Sequence, residues 1–219
     1  MSENYKYLVS GFISGYVSNF LTYPLDTIKV WKQTNQKIIF NPKNLYKGNL
    51  YPTLTTGIIN SLMFSTNNNI YKFSNNHFIS GGITGVLIGT IMTPIEYYKI
   101  QKQTNKLEPN IKVKNLFRGI NSTILRETIS ISIYFGCYNK FRDLEISPAL
   151  SGGLCGVSSW LFTYPIDVIK TRVQQNSNTT YLKSVRQGNL WNGLFLCCAR
   201  SFLNNSIVFY TFEEILKKL

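Results

Sequence analysis

The chain has 219 residues, 23 Lys and Arg against 10 Asp and Glu, a formal net charge of +13 and a mean hydropathy of −0.05. That length suits one domain or a short array of repeats. One His and four Cys, of which Cys137 and Cys155 are isolated and Cys197 and Cys198 adjacent, exclude a zinc site of familiar spacing, so no metal or cofactor is expected.

In chain order, uncharged windows run from Tyr7 to Leu25, from Gly48 to Tyr71, from Phe73 to Ile95 and from Ile146 to Ile166. Each is about long enough to cross a bilayer core as a helix. They are rich in Ser, Thr, Asn and Gly, which suits spans with one face covered by other helices or lining a wet cavity. The basic charge falls in separate loops: Lys37, Lys43 and Lys47; then Lys102, Lys106, Lys112, Lys114 and Arg118; then Arg172, Lys183 and Arg186. The connections near Lys72 and from Lys140 to Glu145 are shorter and less basic. This alternation reads as a membrane topology signal rather than a nucleic-acid stripe, so no nucleic acid is expected as partner.

Three segments align without a gap: SGFISGYVSNFLTYPLDTIKVWKQ from Ser10, SGGITGVLIGTIMTPIEYYKIQKQ from Ser80 and SGGLCGVSSWLFTYPIDVIKTRVQ from Ser151. Their prolines, Pro24, Pro94 and Pro165, open Pro-x-acid-x-x-Lys motifs. Downstream, Tyr46-Lys47-Gly48, Phe117-Arg118-Gly119 and Trp191-Asn192-Gly193 each open a further apolar run. An internal repeat of this kind fixes the architecture. We expect an all-α membrane protein, one domain over 1–219, with six transmembrane helices in three two-helix repeats over about 5–73, 78–142 and 148–219. Both termini then share one side.

The small residues Gly11 and Gly15, Gly81, Gly85 and Gly89, and Gly152 and Gly156 read as helix-packing steps. A proline inside a span removes a backbone bond and kinks the helix. Beyond each proline stand Asp26 and Lys29, Glu96 and Lys99, and Asp167 and Lys170. A spacing of three allows a weak intrahelical pair. The alternative is a ring in which each acid meets the Lys of another repeat, since charges at membrane depth are costly unless paired. A ring that forms and breaks is a gate.

These three Pro-x-[Asp/Glu]-x-x-[Lys/Arg] motifs, each followed by Gln four residues after the Lys, resemble the mitochondrial carrier signature across the whole chain. The resemblance implies six tilted helices around a central cavity, alternating access, the mitochondrial inner membrane and termini on the intermembrane-space side. It implies a monomer with membrane lipid, cardiolipin included, as partner. It pairs Asp26 with Lys99, Glu96 with Lys170 and Asp167 with Lys29 on the matrix side, with Gln33, Gln103 and Gln174 bracing those pairs. Departures are visible. The repeats are about seventy residues long, the loops after Gln33 and Gln103 are too short for a full matrix helix, and Trp31 and Gln101 replace an expected base. The outer-gate pattern survives as Phe212-Glu213 and decays to Tyr138-Asn139, with Arg142 following, and to Asn67-Asn68, so a weak outer gate is expected.

Seven residues beyond Gly48, Gly119 and Gly193 stand Thr55, Arg126 and Arg200, about 10 Å into the span. They resemble the family's substrate contact points. Arg126 either faces substrate or merely pairs with its neighbour Glu127, and Arg200 has no acid beside it in sequence. A carboxylate docking on Arg126 or Arg200, with an ammonium on Glu127, suits an amino-acid-like molecule. Two Arg and a stacking aromatic such as Tyr51 suit a nucleotide instead. The competing reading is a non-transporting membrane relative that kept the fold. No nucleophile–base pair is visible, so no enzyme is expected.

Overall fold

A computed structural model describes residues 3–106, 113–146, 148–176 and 178–218. Lys112 falls outside them. The surroundings of Gly11 and the side chains of Tyr51, Arg142, Phe212 and Glu213 are likewise outside the described set.

The described residues are helical, with turns between. The order is α1 (Glu3–Gln33), α2 (Pro42–Leu45), α3 (Leu50–Ser74), α4 (His77–Gln103), α5 (Val113–Leu116), α6 (Ile120–Asp143), α7 (Pro148–Gln175), α8 (Tyr181–Arg186) and α9 (Leu194–Lys218). Local sequence sets several boundaries. Asn75 adopts the left-handed conformation that ends α3, and the Asn76 side chain caps α4 by accepting from the backbone N–H of Phe78 and Ile79. Two asparagines thus make the whole turn between two long helices. Among the described residues, the connections after α1, α4 and α7 hold short helices of four, four and six residues, α2, α5 and α8.

The long helices pack in chain order as a closed ring: α1 on α3, α3 on α4, α4 on α6, α6 on α7, α7 on α9, and α9 back on α1. The three proline-bearing helices also touch one another across the ring. Polarity is inverted relative to an ordinary core. Ser14, Ser18, Thr22, Thr27, Thr84 and Thr163 are buried, while Phe20, Leu21, Leu54, Ile58, Leu87 and Phe162 are exposed. By length and composition, α4 is apolar enough to cross a membrane.

The tightest helix contact rests on a glycine stripe. A Cβ on Gly85 would lie 2.5 Å from Thr128 Cα, and one on Gly89 would lie 2.9 Å from Ile124 Cα, both backbone atoms of α6. Gly81 meets the Ile131 carbonyl oxygen at 2.7 Å in the same way. The expected packing step is not seen at Gly15: among the described residues nothing lies within 4 Å of a Cβ placed there. Its spacing matches, but no described backbone approaches it. Replacing Gly85 with Ala should therefore destabilise the protein by about 1–3 kcal/mol, read as a lowered melting temperature in detergent, whereas Gly15→Ala should leave that temperature unchanged.

Candidate functional site: a charged floor under a central cavity

The prolines lie inside α1, α4 and α7, which run through them as continuous helices. Near each, a Thr hydroxyl donates to the carbonyl four residues back: Thr22 to Ser18, Thr93 to Gly89 and Thr163 to Ser159. A missing N–H and back-bonded hydroxyls both favour a bend.

Just beyond the prolines the side chains meet between helices. Lys29 Nζ stands 2.7 Å from Asp167 Oδ2. Lys99 pairs with Asp26, and Lys170 with Glu96. These are the three pairings that the resemblance implies, running α1 to α4, α4 to α7 and α7 to α1. Among the described residues, none of the three intrahelical spacings forms an ion pair. The ring is also larger than three pairs. Arg126 Nη2 lies 3.0 Å from Glu96 Oε1, bonds Glu127, and holds Nε 3.6 Å from Asp167 Oδ1. Arg126 is thus already paired, and it ties two of the ring acids together. Arg200, which has no acid beside it in sequence, finds Asp26 across the cavity, Nε to Oδ1 at 3.5 Å. The Lys29 ammonium lies 4.3 Å from the Trp160 ring centroid and the Arg126 guanidinium 5.5 Å from it.

The glutamines depart from expectation. Gln33 Nε2 donates to Asp167 Oδ2 at 2.8 Å and so reaches a ring acid. Gln103 instead donates to the Tyr23 hydroxyl and to Thr27 Oγ1, and Gln174 to the Arg118 carbonyl. The reason is local: a Tyr precedes Pro24 and Pro165, but Thr93 precedes Pro94 and offers no long hydroxyl to Gln174.

Below the ion pairs lies a layer that sequence reading misses. Trp31 Nε1 donates to the Gln103 carbonyl at 2.8 Å, Gln101 Nε2 to the Gln174 carbonyl at 2.6 Å, and Arg172 Nε to the Gln33 carbonyl at 2.9 Å. Each caps the orphan carbonyls at the end of the next proline-bearing helix. The signal was a shared offset, five residues after each acid, masked by three unlike side chains. The glycines of the aromatic-x-Gly motifs dock on the same helix ends. Gly48 has φ +79° and would bring a Cβ 3.1 Å from the Lys99 carbonyl oxygen; Gly193 has φ +97° and would strike Tyr164 Oη at 2.6 Å.

Above the floor is a cavity of about 240 Å³. Thr55, Arg126, Glu127 and Arg200 all line it, with Asp26, Lys29, Glu96, Lys99, Asp167 and Lys170 at its base. Five cationic side chains therefore face four carboxylates. The seven ion pairs described above all belong to this one cluster. At the other end, Asn139 turns its amide onto its own helix, at the Phe135 carbonyl, and Asn67 is buried.

The chain is also similar in sequence to known proteins. The family model "Mitochondrial carrier protein" matches residues 1–39 and 145–219. The chain is 30% identical to the mitochondrial arginine transporter BAC2 of Arabidopsis thaliana, over 96% of this chain and 88% of that protein. It is 28% identical to the mitochondrial ornithine transporter 1 of Schizosaccharomyces pombe, over 92% of this chain and 88% of that one. It is also 28% identical to the mitochondrial glycine transporter YMC1 of Saccharomyces cerevisiae, over 98% and 91% respectively. The chain belongs to the mitochondrial carrier family: it is a solute carrier and not an enzyme.

Proposed function

We propose that this carrier moves an amino acid across the mitochondrial inner membrane by alternating access. The observation that carries this reading is the charge count of the cavity, five cations against four carboxylates within about 240 Å³. With the four acids each paired, one cation is left to meet a substrate carboxylate. It falls short of the several charges on a nucleotide phosphate chain. The volume also lies below the roughly 300–1,000 Å³ of drug-sized sites, which suits an amino acid better than a nucleotide. The relatives named as arginine, ornithine and glycine transporters support the same class.

In this reading the substrate carboxylate docks on Arg200 or Arg126, and its ammonium on Glu127. The pairs Asp26–Lys99, Glu96–Lys170 and Asp167–Lys29, with the glutamines behind them, form the matrix gate. Pro24, Pro94 and Pro165 bend three helices towards it. Three units, 5–73, 78–142 and 148–219, surround the cavity, with both termini on the intermembrane-space side. The exposed Leu, Ile and Phe side chains face lipid, where a buried polar interior is the stable arrangement. The carrier works as a monomer by exchange, with cardiolipin as lipid partner at the basic ends. Neutral Asn67 and Asn139 leave the outer gate weakly locked.

Purified protein in liposomes should exchange labelled arginine, ornithine or glycine for an internal amino acid. It should fail to exchange ATP or deoxynucleotides. Nucleotide exchange without amino-acid exchange would overturn the substrate class. Exchange of none of them would favour the non-transporting reading.

A further inference from the structure

Asn19 is a buried polar residue on α1 that lines the cavity five residues before Pro24. The same offset before Pro94 and Pro165 holds Gly89, packed on α6, and Trp160, under two cations. Neither other unit places an amide in this register. Its contacts show a directed relay. Asn19 Nδ2 lies 3.1 Å from Thr56 Oγ1 and 3.4 Å from Thr53 Oγ1, both on α3. Asn19 Oδ1 lies 3.4 Å from Arg200 Nη2 on α9.

The relay has one polarity. A backbone carbonyl only accepts, so the Thr56 hydroxyl must spend its proton on the Pro52 carbonyl, 2.6 Å away. Thr56 Oγ1 can then only accept from Asn19. That fixes the amide group: its NH₂ points to α3 and its carbonyl oxygen to Arg200. An oxygen aimed at one guanidinium nitrogen competes with the pull of Asp26 on Nε of the same group. The guanidinium is held between two weak, long contacts, at 3.4 and 3.5 Å, with donors left over for the cavity.

We infer that Asn19 is a positioning residue for specificity. It turns Arg200 outward from the ring so that its fork presents to a substrate carboxylate, and Thr56 sets the direction of that amide. The inference rests on the reading that Arg200 receives the carboxylate. A mere packing role would affect all substrates alike; a positioning role affects only those that carry a carboxylate.

The test uses the full chain in liposomes with labelled arginine and with agmatine, its decarboxylated amine. In Asn19→Leu the preference for arginine over agmatine should drop about tenfold or more, through KM rather than maximal rate. Asn19→Asp should weaken arginine binding in the same selective way, because a fixed carboxylate would occupy Arg200. Thr56→Val, which leaves the amide anchored on α3 by the longer Thr53 contact, should shift the preference in the same direction by less. A parallel loss of arginine and agmatine uptake in both Asn19 variants would overturn the inference. Arg200→Ala is the control: it should erase the preference. If it does not, the carboxylate dock on Arg200 is wrong, and the Asn19 role falls with it.

Discussion

Asp167→Asn is expected to abolish uptake. This carboxylate receives more cationic and polar partners than any other in the ring: Lys29 at 2.7 Å, Gln33 at 2.8 Å and Arg126 Nε at 3.6 Å. It is 4% exposed. Removing the charge leaves buried Lys29 without an anion and weakens the hold on Arg126. Breaking a buried pair in this way costs about 3–5 kcal/mol, a large part of the roughly 5–15 kcal/mol that keeps a domain folded. Both uptake and melting temperature should fall. The companion variant Lys29→Met/Asp167→Leu removes both members of the pair. It should recover much of the melting temperature, because two desolvated charges are gone, yet remain inactive. Restored transport in that variant would show that the pair acts in folding alone and not as a gate.

The second large effect is expected at Arg126. Its guanidinium bonds Glu127 and Glu96 and approaches Asp167. Arg126→Ala should lower uptake about 100-fold or more, since a charge-assisted contact to substrate is lost and buried Glu127 loses its cation. Arg126→Lys should rescue only part, because an ammonium cannot reach three acids in a planar fork. The double variant Arg126→Ala/Glu127→Gln separates the causes. It removes the orphaned charge and should restore thermal stability while transport stays low. Normal transport in the double variant would mean that neither Arg126 nor Glu127 is needed to hold the substrate.

The three-fold motif narrowed the partner of each acid to the Lys on its own helix or one on another unit, and the family resemblance singled out one Lys for each. Asp26–Lys99, Glu96–Lys170 and Asp167–Lys29 are the pairs that the structure brings into contact. What symmetry could not supply were the breaks in it. Gln174 misses its expected place because Thr93 stands where the other units have Tyr. Gly15 fits the small-residue spacing, but spacing names a face and not the neighbour that fills it. Arg126 was tied in sequence to adjacent Glu127; its contact with Glu96, thirty residues away, depends on how α6 lies against α4. The capping layer of Trp31, Gln101 and Arg172 hid behind unlike side chains that share only a donor N–H. Nothing in the repeat pattern marks Asn19, and its partners on two other helices give it a direction.

The central claim is that opposite charges on successive helices close the cavity floor, and a charge swap tests it most directly. Asp26 and Lys99 form the pair least entangled with Arg126. Asp26→Lys and Lys99→Asp should each abolish exchange in liposomes, because like charges then face each other at the floor. The combined swap should recover exchange to at least about tenfold above either single variant, the signature of a direct pairwise coupling. A combined swap no better than the single variants would contradict the account.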